Sequence, residues 1–368
     1  MNAPRTLCFL TGTLHALAGA ERMTAVIASA LAERGYRVHV LSLWDRRSSF
    51  ALHPAVRHDA LFDHRPSFKI KYAATVAGIR RYVRDHGIDT LIEVDPMLTL
   101  FTVPATLGLG VQRIAWEHCH FHQDLGRRVR RVARWVAART DVAVVVLTER
   151  DRVSWQSALA PVCPVAAIPN ALPFKYPEQA APRNTGVVLA VGRLTAAKGF
   201  DVLLHAWALV AHRFPHWRLR IVGEGEERAN LELLRQRLGV SQTTTLPGET
   251  LAIASEYRNA SLFCLSSRYE GFGLVLIEAM AYGLPIVSTA CEAGPLTLLR
   301  QAENAYMVRP DDPVSLAEGL TRLMDDGAVA GRLAAQGRED SKAWATGNIS
   351  RQWIDLLNSL PPRPPRLP

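Results

Sequence analysis

Residues 268–285 read RYEGFGLVLIEAMAYGLP. They sit between two short apolar runs, Leu262–Leu265 and Ile286–Ser288, which read as strands. Between the runs, Leu274–Tyr282 has the length and spacing of a helix. Strand, glycine loop, helix, strand makes a βαβ unit, which calls for a parallel sheet covered by helices. Glu270 precedes Gly271 and Gly273 in the loop. If the helix starts near Phe272, Glu278 lies about two turns down, on an inward stripe. A carboxylate inside LVLIEAMA is costly to bury without a partner. A ribose diol suits it, since one carboxylate accepts from both hydroxyls. Glu270, in the loop, is placed to meet the sugar itself. The structural alternative is a capping carboxylate and an internal ion pair.

The same alternation extends in both directions. Downstream, 313–325 and 328–342 read as helices. Gly347–Leu360 is an amphipathic segment with Ile349, Trp353, Ile354, Leu356 and Leu357 apolar, and the proline-rich tail that follows is expected to fray. Upstream, Val187–Val191, Trp217–Val222 and the weaker Thr244–Leu246 read as strands, and Lys198–His212 and Glu226–Leu238 as helices. Between the first of these strands and its helix runs VGRLTAAKG, residues 191–199. Arg193 and Lys198 there stand beside free helix-start amides, a combination that suits a diphosphate. Solvated surface cations are the alternative. No G-x-x-x-x-G-K-[ST] occurs, so this is not a nucleotide-hydrolysing P-loop.

Residues 171–185, ALPFKYPEQAAPRNT, lack periodicity and mark the domain boundary. The first domain is then 1–170 and the second 186–346, with 347–368 as a terminal helix and tail. In the first half Thr6–Thr11, Arg37–Leu43, Ile88–Val94, Val111–Trp116, Asp141–Leu147 and Val165–Ile168 read as strands. Ala20–Arg34, Leu98–Leu107 and Glu149–Ala158 read as helices. Two strand ends carry unusual residues. Gly12–Glu21, GTLHALAGAE, places Gly19 where backbone can approach a ligand, but it is not the G-x-G-x-x-G of a dinucleotide site. Trp116–His122, WEHCHFH, alternates three histidines. It lacks the acidic partners of a familiar metal site, so one histidine meeting a sugar or substrate hydroxyl is preferred to a metal.

The chain of 368 residues carries net charge +9. Residues 1–180 hold 23 basic and 15 acidic side chains, a net of +8, which leaves +1 for the rest. Anionic partners are implied. Residues 127–139 contain six arginines and no acid, interleaved with Val129, Val132, Ala133, Trp135 and Val136. Such a helix can lie on an anionic bilayer, with Arg127, Arg128, Arg130, Arg131, Arg134 and Trp135 facing the membrane. It can equally pack its stripe on the core and solvate its arginines. Nucleic acid is not favoured, because no recognised module accompanies the charge. Five cysteines without a C-x-x-C argue for a reducing compartment, no signal peptide is recognised, and no apolar run of membrane-spanning length occurs.

The EGFGLVLIEAMAYGLPIV segment resembles the signature of the retaining glycosyltransferases of family 4, which have the GT-B fold. VGRLTAAKGFDVLLHAW, LRIVGEGEE, the AGAE of the glycine loop and Ile168–Asn170 also look like that family. The resemblance implies two facing Rossmann-like domains with a crevice between them and no metal. It implies a nucleotide diphosphate sugar, taken as a UDP-sugar, as co-substrate rather than a cofactor. By the same resemblance Arg193 and Lys198 hold the diphosphate and Glu278 the ribose. Glu270 faces the transferred sugar, with Gly271, Phe272, Gly273 and Leu274 near sugar and phosphate. Gly19 approaches the phosphate, and His118 lies near sugar and acceptor. Similar enzymes transfer to lipid-linked or polysaccharide acceptors in envelope glycan biosynthesis, here expected at the inner face of the cytoplasmic membrane. A non-catalytic nucleotide-sugar-binding subunit is the alternative. One departure is GPLTLL at 294–299, which has Thr297 where the family often has an acid.

Overall fold

The computed structural model describes residues 5–124, 126–292 and 294–363. The chain divides into two compact units, one drawn from residues up to Pro173 and from Thr346 onward, the other running from Phe174 to Ala345.

In the first unit, β1 (Thr6–Thr11), α1 (Gly19–Ala32), β2 (Arg37–Trp44), β3 (Arg57–Phe62), α2 (Tyr72–Asp85) and β4 (Thr90–Glu93) are followed by α3 (Thr99–Thr106) and β5 (Gln112–Trp116). Then come α4 (Val129–Thr140), β6 (Ala143–Val146), α5 (Glu149–Leu159) and β7 (Val165–Ala167). The seven strands are ordered β3-β2-β1-β4-β5-β6-β7, and every pairing is parallel. Strands β1, β4 and β6 are buried at every residue. That is why they read as unbroken apolar runs rather than as alternating ones.

The second unit holds β8 (Val187–Val191), α6 (Phe200–Val210), β9 (Arg218–Val222), α7 (Arg228–Arg237), β10 (Thr244–Gly248), α8 (Ile253–Arg258) and β11 (Leu262–Leu265). It continues with α9 (Leu274–Ala281), β12 (Ile286–Thr289), α10 (Gly294–Leu298), β13 (Tyr306–Val308), α11 (Pro313–Asp325) and α12 (Gly327–Ser341). Its sheet runs β10-β9-β8-β11-β12-β13, again all parallel. Val188, Ala190, Leu204, Trp207, Ile221, Leu262, Leu316 and Leu320 form part of its core.

Both sheets share one doubly wound order. Strand order reverses between β1 and β4 in one unit and between β8 and β11 in the other. Adjacent loops leave in opposite directions at such a point and open a cleft beyond the carboxyl ends of the strands.

Several elements differ from the sequence reading, which did not assign β3, α2, β13 or the short α8 and α10. β3 and α2 lie between Arg37–Leu43 and Ile88–Val94, where the sequence reading placed no element. β3 is an edge strand with no fully buried residue, so it shows no apolar alternation. α2 buries Ile79, Tyr82 and Val83 beneath its arginines. The short β13 likewise sits at a sheet edge. The helix expected from Lys198 starts only at Phe200, because Gly199 breaks the chain with φ of +59°. A Cβ there would stand 2.2 Å from the Ser266 carbonyl oxygen, so only glycine allows the approach.

Helix α13 (Thr346–Ser359) belongs to the first unit and packs on α1. Trp353 meets Trp116 edge-on with ring centroids 4.9 Å apart, and Gln112 donates to the Pro361 carbonyl at 2.6 Å. The part of the tail after Arg363 expected to fray lies outside the described residues.

Candidate functional site

The switch point of the second unit gathers most of the residues singled out. Arg193 follows β8. It is exposed, and no described residue bonds its guanidinium. Lys198 ends the short turn Ala196–Lys198. Glu270 follows β11, and its carboxylate accepts from Lys198 Nζ at 2.5 Å and from Ser267 Oγ at 2.7 Å. The two loops are also tied through their backbones. Ser266 Oγ donates to the Lys198 carbonyl at 2.9 Å and the Arg268 amide to the Ala197 carbonyl at 2.8 Å. The Arg268 guanidinium spans Asp201, with bonds of 3.0 and 2.8 Å, and Asp311 at 2.6 Å. Ser266, Ser267 and Arg268 were not singled out individually in the sequence, where they look like any polar loop residues.

Gly273 caps α9 with φ of +80°, a conformation that costs a side-chain-bearing residue free energy. α9 thus starts at Leu274, just after Gly271 and Phe272, beside these loops, and a helix leaves its first-turn amides without α-helical partners. Glu278 is buried to 1% exposure on the inner face of α9. Gly294 packs against this loop, where a Cβ would lie 2.2 Å from the Phe272 carbonyl oxygen. Thr297, at the position of the family's acid, is an exposed residue of α10.

In the first unit, Gly19 opens α1 at the switch-point loop after β1. A Cβ there would meet no atom within 4 Å, so the fold does not itself demand glycine. His118 follows β5. Its ring lies on Trp116 at a centroid distance of 4.3 Å, and its Nε2 has no hydrogen-bond partner among the described residues. Burial pushes His118 down to about 3, so the imidazole is neutral. His120 Nδ1 lies 2.6 Å from Asp151 Oδ1. Burial opposes charge on Asp151, but bonds from His120, the Phe121 amide and Thr148 hold its carboxyl below the usual range. Asp151 is therefore the acceptor and His120 Nδ1–H the donor.

Helix α4 corrects the expected membrane face. Arg130 and Arg134 are each 3% exposed and do not face outward. Glu117, itself 1% exposed, accepts from Arg134 Nε at 2.6 Å and from an Arg130 nitrogen at 3.3 Å. Arg130 also clasps Asp95 with bonds of 2.7 and 3.1 Å. Helical periodicity explains the inversion. The inward face of α4 carries Arg130, Ala133, Arg134, Ala137 and Ala138, because inward partners for the arginines exist. Val129, Val132 and Trp135 are left 44%, 54% and 51% exposed. Arg127, Arg128 and Arg131 do lie at the surface. Among the described residues no three His, Cys, Asp or Glu side chains form a set that could hold a metal ion, and no helix is long and apolar enough to cross a membrane.

Two doubly wound sheets, each with its unusual residues beyond the carboxyl strand ends, define a pair of Rossmann-like domains. Residues 17–176 match the family described as Glycosyltransferase Family 4, and residues 174–340 match Glycosyl transferases group 1. An uncharacterized glycosyltransferase of Haemophilus influenzae is 31% identical over 95% of this chain and 99% of its own. A Campylobacter jejuni α-1,4-N-acetyl-D-galactosaminyltransferase, named for an undecaprenol-diphosphate-linked glycan, is 24% identical over 95% of this chain and 98% of its own. Among solved structures, Anabaena HepE in complex with UDP-glucose superposes with a TM-score of 0.80 at 20% identity, covering 96% of this chain and all 100% of that one. The chain belongs to glycosyltransferase family 4 and has the GT-B fold.

Proposed function

We propose that this glycosyltransferase moves a sugar from a UDP-sugar to a hydroxyl of a lipid-linked or polysaccharide acceptor in envelope glycan biosynthesis. Transfer retains the anomeric configuration and needs no metal. The observation that carries the donor assignment is the convergence of Arg193, Lys198, Glu270 and the start of α9 at one switch point. Arg193 and Lys198 stabilise charge that develops on the departing diphosphate. Glu278 accepts from the ribose hydroxyls, and Glu270 meets the transferred sugar. Gly19 leaves room for the phosphate, and neutral His118 meets the sugar or the acceptor hydroxyl.

A retaining hydrolase places two carboxylates at one anomeric carbon. Here one acid serves the sugar and the other the ribose, so Glu270 is not assigned as a covalent nucleophile. The acceptor hydroxyl attacks from the face the diphosphate leaves, and its proton passes to a leaving-group oxygen. The solved UDP-glucose complex supports a uridine donor, and the Campylobacter relative's name supports a lipid-linked acceptor.

The outward face of α4 supports attachment of the first unit to an anionic membrane surface on the cytoplasmic side. Val129, Val132 and Trp135 share that surface with Arg127, Arg128 and Arg131, and the Arg139 guanidinium lies over the Trp135 ring at 4.7 Å. Purified protein offered a panel of nucleotide sugars, with binding and sugar release measured for each, tests the donor reading. Binding and turnover of a UDP-sugar are expected. Failure to bind any nucleotide sugar would overturn it, and binding without hydrolysis or transfer would favour a regulatory subunit.

A further inference from the structure

The arginine run of α4 is not used by the donor reading, and its buried members do something more specific than bind a surface. We propose that Arg134 is a positioning residue for transfer. Its guanidinium holds the loop that carries His118 in its working geometry. The proposal rests on the reading that His118 meets sugar or acceptor.

Residues 117–123 have no helix or strand to satisfy their backbone. Their carbonyls must find donors elsewhere. Arg134 supplies them. Its guanidinium donates to the Phe121 carbonyl at 2.5 Å, the Gln123 carbonyl at 3.1 Å and the His120 carbonyl at 3.3 Å. Its Nε bonds Glu117 at the start of the same loop, and Glu117 in turn accepts from the Cys119 amide at 2.9 Å. The Arg134 guanidinium also lies over the Phe121 ring, at 5.4 Å. His118 therefore stands between Glu117 and Cys119, both fixed by this one cluster. From the other side Asp151 takes the His120 ring and the Phe121 amide.

The arrangement is poorly explained as a device for stability alone. Removing an arginine and a glutamate from water is expensive, and well-packed apolar residues often serve a core as well or better. What the pair supplies is geometry, since five donors in a rigid planar fork reach three carbonyls and a carboxylate at once. Lysine keeps the charge, but its single nitrogen cannot span those acceptors. The imidazole at the centre of the loop is neutral, and its Nε2 has no described partner. A group in that state contributes only when aimed correctly, and small misplacements of reacting groups cost up to about 100-fold in rate.

Arg134→Lys separates positioning from charge. Three quantities are compared with wild type: hydrogen exchange of the 117–123 segment, UDP affinity, and turnover of whichever of UDP-glucose, UDP-galactose and UDP-N-acetylglucosamine the wild type uses. Exchange in the segment is expected to rise at least about tenfold while the strands of both units keep their protection. UDP affinity should stay within about twofold, because the cations assigned to the diphosphate, Arg193 and Lys198, lie in the other unit, while kcat falls about 10- to 100-fold. In Arg134→Ala, millimolar guanidinium should restore part of the lost turnover, which a general loss of stability would not permit. Unchanged exchange in the segment would overturn the proposal, and so would a loosened segment with wild-type kcat. If the wild type neither binds nor turns over a nucleotide sugar, the donor reading fails instead. The exchange result then still decides whether Arg134 holds the loop.

Discussion

The two cationic segments of this chain, 191–199 and 127–139, differ in density of charge and in where their cations end up. Arg193 and Lys198 follow β8; Arg193 stays exposed, and Lys198 is paired with Glu270, a neighbour across the switch point. Arg130 and Arg134 lie in the denser run, yet they turn inward onto Glu117, Asp95 and loop carbonyls. Density of charge in a sequence therefore does not say where a cation is available. Location relative to the strand ends and to buried acids decides it.

The comparison breaks most decisively at Lys198 and Arg193. Alanine at either should cost about 2–4 kcal/mol of transition-state stabilisation with little change in melting temperature. Steady-state rates with a UDP-sugar and a thermal melt check this, and near-wild-type kcat/KM for both variants would remove the diphosphate role. A smaller effect is expected at the buried acid. Glu278→Gln should weaken UDP-sugar binding by about 1–2 kcal/mol, since an amide accepts less strongly than a carboxylate. Glu270→Gln should lower kcat more than affinity. Titration calorimetry beside initial rates resolves that division.

The outward arginines should matter less, residue by residue. Replacing Arg127, Arg128 and Arg131 by glutamine should weaken binding to anionic vesicles by roughly 1 kcal/mol per residue, and added salt should act likewise. Arg134→Lys should leave vesicle binding unchanged, because that side chain is buried. A flotation assay in which wild-type protein ignores anionic vesicles at low salt would reject the surface.

The smallest effect concerns acid. His118 is pushed from 6.5 down to about 3, so between those values the unfolded chain binds a proton that the folded chain does not. This contribution to stability is present above pH 6.5 and is lost as pH falls toward 3. His118→Asn should therefore lose less melting temperature than wild type between pH 7 and pH 5, by roughly a few degrees. Equal losses would mean that His118 is protonated in the fold.

Much of the second unit was legible because short apolar strands alternate with helices of regular spacing and its glycines fall at turns. In the EGFGLVLIEAMA segment the inward placement of Glu278 is read correctly, but α9 starts at Leu274 rather than near Phe272, so Glu278 lies about one turn down rather than two. Of the four edge strands, β7 and β10 were read and β3 and β13 were not. β3 has no fully buried residue and so shows no apolar alternation, and β13 is only three residues long, too short a run to mark a strand.

For α4 the sequence determined a helix with arginines and valines on definite faces. It did not determine which face turns inward. That choice depended on Glu117 and Asp95, which lie 17 and 35 residues before their arginine partners and are brought near by the parallel sheet. By itself the sequence determined the alternation of strands and helices and the residues at the strand ends, because those depend on local spacing and on glycine's conformational freedom. Only the tertiary structure decided which charges are spent on one another, because a buried ion pair requires partners whose proximity no local pattern encodes.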